Sequence, residues 1–210
     1  MTKGNRIAII GIACVLVAAG IYFIVHQHRP VPARVFRSEN RGFNFENESG
    51  FWAAQTYPGS EACKSVSVSD EQAQEGRHSL KMMFHLVGGD AHDSCGEAWA
   101  SIGTQNLTGQ TVTGWIYAPQ NSAGDPEHPN GYQLFVKDSQ WHSEYGSLTG
   151  IVEGQWVKLS LTVGKTKPDN GWVDEQFNPT QTMVVGVKVA AGNGSTSTYD
   201  GPIYLDAVRW

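Results

Sequence analysis

From residue 43 to the end of the chain, apolar and polar positions repeatedly alternate with a period of two. The runs are five to nine residues long and are separated by clusters of Gly, Pro, Asn and Asp. The clear ones are 79–86 (SLKMMFHL), 111–119 (TVTGWIYAP), 132–138 (YQLFVKD), 155–163 (QWVKLSLTV), 182–190 (TMVVGVKVA) and 203–210 (IYLDAVRW), with weaker ones at 43–47, 64–69 and 97–103. This period predicts strands. Nine or ten of them without an amphipathic helix predict an all-β fold, a β-sandwich. Parity then assigns faces: Leu80, Met82, Phe84 and Leu86, and likewise Met183, Val185, Val187 and Val189, should point inward. Trp99, Trp115, Tyr117 and Phe135 fall on the polar parity and should point outward, where a large ring needs a function or a cover.

The alternation is absent before residue 42. Residues 7–25 (IAIIGIACVLVAAGIYFIV) carry no charge. As a helix rising about 1.5 Å per residue, they are about long enough to cross a ~30 Å hydrocarbon layer. The segment reads either as one transmembrane anchor helix or as a cleaved signal peptide. The chain thus divides into an anchor or signal at 1–26, a proline-stiffened linker at 27–41 and a β-sandwich at 42–210. An anchored body is expected outside the cytoplasm, periplasmic or at the cell surface; a cleaved one is secreted.

Charge narrows the partners. The chain has 210 residues with 15 basic and 20 acidic side chains, and five of the basic ones lie in residues 1–37 with no acidic one. The body therefore has ten basic and twenty acidic residues, too few cations to neutralise phosphates, so nucleic acid is not an expected partner. Cys63 and Cys95 are an even pair in an exported body. They suit one disulfide, worth roughly 3–4 kcal/mol for a loop of this length, and the alternative is two unpaired buried thiols. The seven histidines show no metal-ligand spacing, and the glycines form no phosphate-cradling loop.

Three pieces, taken in their order and spacing, resemble the jelly-roll carbohydrate-binding modules attached to bacterial endoglucanases and mannanases. They are FNFENESGFW (43–52), GRHSLKMMF (76–84) with NLTGQTVTGWIYAP (106–119), and GPIYLDAVRW (201–210). The resemblance covers about residues 42–210. It implies a jelly-roll β-sandwich of two antiparallel sheets, one of them concave and gripping a polysaccharide, working beside carbohydrate-active enzymes. Flat rings would stack on the C–H faces of sugars, and planar polar groups would meet the hydroxyls. The residues expected to line this groove are Trp99, Tyr117, Gln133, Lys137, Trp141 and Tyr145. Trp115 and Trp156 are assigned to packing and Trp172 to the rim. The resemblance also implies a structural Ca2+ held by Glu46 and Asp206, helped by carbonyls around residues 75–78; two plain surface carboxylates are the alternative.

Jelly rolls also host hydrolases and lyases. A hydrolase needs two carboxylates about 5–9.5 Å apart, and no strand here carries such a pair on one face. Tyr145, His142 and Lys137 are the residue types a lyase would use, but their spacing in a loop does not define a site. The expected function is therefore non-catalytic binding of a β-glucan or mannan type polysaccharide, tethered to a membrane. The alternatives are a protein- or envelope-binding domain of the same fold and, third, a lyase or hydrolase.

Overall fold

Alternating residues pay for a strand only when one face is covered, and here two sheets cover each other. The computed structural model describes residues 41–55, 57–165 and 171–210, all within the unit Phe36–Trp210. The expected anchor at 7–25 and nearly all of the linker lie outside the described residues. Among the described residues thirteen strands follow in chain order. They are β1 (Gly42–Phe43), β2 (Ala53–Ala54), β3 (Cys63–Ser69), β4 (Ser79–Val87), β5 (Cys95–Gln105), β6 (Thr111–Tyr117), β7 (Gly131–Asp138), β8 (Ser143–Tyr145), β9 (Thr149–Gly150), β10 (Trp156–Thr162), β11 (Trp172–Val173), β12 (Thr182–Ala190) and β13 (Thr198–Arg209). A 3-10 turn at Pro179–Gln181 leads into β12, and no α-helix occurs among the described residues.

The first sheet has the order β10-β6-β13-β4-β3, with β1 paired to the end of β13. The second runs β11-β8-β7-β12-β5-β2, with β9 on β7. All of these strand pairs are antiparallel. Between the sheets lies one apolar core. Leu80, Met82, Phe84, Leu86, Ile116, Ile203 and Leu205 come from the first sheet, and Leu134, Val136, Val185, Val187 and Val189 from the second. Each such side chain contributes roughly 1.5–3 kcal/mol by leaving water.

Parity is right for β4 and for most of β12. It fails at Met183, which packs instead with Phe135, Tyr145 and Val184 on the far side of the second sheet. The cause is a bulge between Thr182 and Val184, where one extra residue shifts the register and exchanges the faces. The first and last strands meet through rings: Phe43 lies 5.7 Å from Trp52 and 5.5 Å from Trp210. The expected disulfide is not formed. Cys63 and Cys95 are free thiols, although Ala62 N–H donates to the Cys95 carbonyl at 3.0 Å. The Cys95 thiol turns to the Gly59 carbonyl at 3.0 Å, while burial pushes the Cys63 thiol up to about 12.

Candidate functional site

Outward side chains of the second sheet fall into cross-strand rows. The central row runs Trp172, Tyr145, Phe135, Gly186, Trp99, Ala53, each residue paired with the next across β11, β8, β7, β12, β5 and β2. A row of rings is crowded, and the sequence makes room at one point: a Cβ on Gly186 would sit 2.3 Å from the Phe135 ring. Phe135 therefore lies across β12 and is fully buried, tilted against Tyr145 at 5.2 Å. On one side of this row stand Lys137, Val184 and Ser101, and on the other Gln133, Lys188 and Glu97.

Beneath the rings sits a charge. Glu97 is 1% exposed, and its two oxygens accept from Lys137 Nζ at 3.1 Å, Tyr57 OH at 2.9 Å and Tyr145 OH at 2.7 Å. A carboxylate out of water needs such partners. The Lys137 ammonium, 4% exposed, also lies 5.1 Å from the Tyr57 ring, 5.0 Å from Phe135 and 6.0 Å from Trp141. Burial, reinforced by the Glu97 charge, lifts the Tyr57 hydroxyl to about 12 and carries Tyr145 higher still. Both phenols remain protonated donors at neutral pH.

Two indoles reach solvent, Trp141 at 52% exposure and Trp172 at 50%. Trp172 leans on Tyr145 at 5.9 Å. Trp141 stands edge to face with Trp99 at 5.5 Å, and Trp99 Nε1–H donates to Gln55 Oε1. Trp141 sits in the turn between β7 and β8 with φ 68°, a left-handed backbone that costs a bulky residue about 1–2 kcal/mol. Asp138 holds the turn. One of its oxygens accepts from Gln140 N–H at 2.8 Å and His142 N–H at 3.0 Å, and the other from Asn178 N–H at 2.9 Å. Burial pushes this carboxyl up, but the three amides win and keep it below the usual carboxylate range.

Of the six residues expected to line a groove, Trp99, Gln133, Lys137, Trp141 and Tyr145 share this face. Lys137 and Tyr145 serve as its foundation rather than its surface, since both are buried. Tyr117 is not with them. It belongs to the outer face of the first sheet, 5.6 Å from Trp156 and 6.0 Å from Tyr204, because β6 pairs with β10 and β13. Trp115 lies on that sheet too, under Lys158 at 5.8 Å. Sequence reasoning missed Tyr57 and Gln55, which arrive from a loop without periodicity. It also passed over Glu97, whose signal was a charge inside the apolar run CGEAWA.

Glu46 and Asp206 were expected to hold Ca2+. They grip the same loop from two sides, but through amides: Glu46 Oε1 accepts from Arg77 N–H at 2.9 Å and His78 N–H at 3.1 Å. Asp206 Oδ2 accepts from Gln74 N–H and Glu75 N–H, both at 2.9 Å. Donors face these oxygens where a Ca2+ cage needs further acceptors. This arrangement does not fit the ion, and the clasp itself ties the segment after β1 and strand β13 to the loop. Burial raises the Asp206 carboxyl against those amides, whereas the Arg77 and His78 amides lower Glu46.

No protein-family model matches the chain, and no curated protein matches it. Solved structures do. The CBM27-1 module of Caldicellulosiruptor saccharolyticus, in complex with mannohexaose, superposes with a TM-score of 0.58 at 18% identity, over 80% of this chain and 94% of that one. A chain from work on promiscuously specific carbohydrate-binding modules of the β-sandwich superfamily gives 0.51 at 20% identity, over 81% of this chain. There the match spans 62% of the other chain, under two thirds of its length. At such identities the likeness establishes the fold: this chain has the β-sandwich of carbohydrate-binding modules.

Proposed function

We propose that the protein binds a polysaccharide without chemistry on the outer face of its second sheet. One observation carries this reading: two half-exposed indoles, Trp141 and Trp172, flank a row of rings braced from below by Glu97 and Lys137. Stacking a sugar on such a ring is worth about 0.5–1.5 kcal/mol beyond its buried area, by analogy with aromatic pairs. The fold shared with a mannohexaose-binding module supports the same direction. The ligand is a polysaccharide chain laid along these rings, and the chemistry at Glu97 favours binding over turnover. Its carboxylate is buried and already engaged by an ammonium and two phenols, so it does not present an oxygen to a glycosidic bond as a hydrolase's acid must.

Residues 7–25 tether the body to a membrane on its outer side, where a held glycan stays close to carbohydrate-active enzymes at raised local concentration. Titration against soluble β-glucans, mannans, xylans and uronic-acid polysaccharides tests the reading. A saturable signal that Trp141→Ala and Trp172→Ala each weaken at least about fivefold is expected, given roughly 1 kcal/mol or more per stacked ring. Silence across the panel defeats it and favours a protein or envelope partner, and release of reducing or unsaturated ends would make the protein an enzyme.

A further inference from the structure

The strands of this face present two cations and one carboxylate outward: Lys137, Lys188 and Glu97. Glu97 is used up by Lys137, Tyr57 and Tyr145. Lys188 is left over. It pairs in register with Glu97 on one side and Gln133 on the other, yet its ammonium lies 5.3 Å over the Tyr145 ring and makes no ion pair or hydrogen bond among the described residues. Its neighbour Gln133 is half-buried, with an amide that has no hydrogen-bond partner among the described residues either. Lys188 stands over Tyr145, against which the half-exposed Trp172 is packed, and Gln133 is its cross-strand neighbour.

A glycan lying on Trp172 would strip water from this ammonium. Neutral hydroxyls replace that water with weak partners, whereas a carboxylate supplies the missing counter-charge and a hydrogen bond roughly twice as strong. Resting on the function proposed above, we infer that the glycan bound here is acidic, its uronate carboxylate received by Lys188 with Gln133 beside it. The body as a whole is strongly acidic, so an anionic chain is not drawn from a distance. Recognition is local, within about one Debye length of ~8 Å at physiological salt. An overall negative charge and a cationic subsite are therefore compatible.

The experiment is calorimetric titration of the 210-residue chain with oligosaccharides of glucuronoxylan, alginate and polygalacturonate, each compared with the same material after reduction of its carboxyl groups to alcohols. At least one acidic oligosaccharide should bind about tenfold tighter than its reduced form, the difference between charged and neutral hydrogen bonds. Lys188→Met should bring the two forms to equal affinity, weakening the acidic form far more than the reduced one, and added NaCl should weaken only the acidic one. The inference is overturned if no acidic form binds tighter than its reduced counterpart, or if Lys188→Met weakens both forms alike. A neutral glycan lost in Trp141→Ala, with no acid preference, sinks this inference and leaves the proposed function standing. No binding to any glycan sinks both.

Discussion

Glu97 shows how a single side chain organises the face. Replacing it by Gln leaves the buried Lys137 ammonium without its counter-charge, and breaking a buried pair in this way costs about 3–5 kcal/mol. Urea melts should show that loss in Glu97→Gln and a smaller one in the Glu97→Gln, Lys137→Met double variant, where no charge is stranded. A single variant as stable as the parent would show the network to be wet and dispensable. Gly186 makes a second point at this scale. Gly186→Ala places a methyl into the Phe135 ring, so the ring must move and Tyr145 with it. Glycan affinity should drop at least about tenfold with a stability cost of about 1–3 kcal/mol for overpacking. An unchanged affinity would show that the rings need not lie flat across β12.

At the scale of the element, the turn between β7 and β8 is a presenting device. Asp138 accepts three amides and so fixes a left-handed Trp141 against Trp99. Its carboxyl is held below the usual range, so the stability it contributes is present above the unfolded value near ~3.9 and disappears as pH falls through the lower folded value. The edge-to-face indole pair, read as an exciton couplet in circular dichroism, should persist at neutral pH and fade under acid. Asp138→Asn should already lack it at pH 7. If the couplet survives that substitution, the turn is held by something other than the carboxylate. The strands β3 and β5 give another test, since Cys63 and Cys95 are free thiols. Cys95 should alkylate in the folded protein and Cys63 only in denaturant, because burial keeps its thiol protonated. A reductant should leave the melting temperature unchanged, and a fall would mean that a disulfide forms after all.

For the whole molecule, two sheets with different outer surfaces share one core. Strand pairing sends Tyr117, Trp115 and Trp156 to the first sheet and Trp99, Trp141 and Trp172 to the second. Tyr117→Ala should therefore leave glycan affinity within about twofold of the parent, given that substitutions over 7–10 Å from a site and sharing no partner rarely couple, while Trp172→Ala should not. Equal losses would place the ligand on the other sheet.

What the chain determined by itself was the alternation, and with it the strands, the buried parity of β4 and a sandwich whose inner faces are Leu, Ile, Met and Val. Those features are local, because a period of two and a turn residue act within a few positions. The tertiary structure decided which sheet each outward ring belongs to, since pairing partners lie tens of residues apart: β6 with β13, β7 with β12. It decided the bulge at Met183, the thiol directions of Cys63 and Cys95, and the turning of loop amides toward Glu46 and Asp206. It also decided the assembly of Glu97 with Tyr57, for a hydrogen bond between a strand and an aperiodic loop has no signature in either segment. Periodicity carries the direction of a side chain; only the packed chain carries the identity of what it meets.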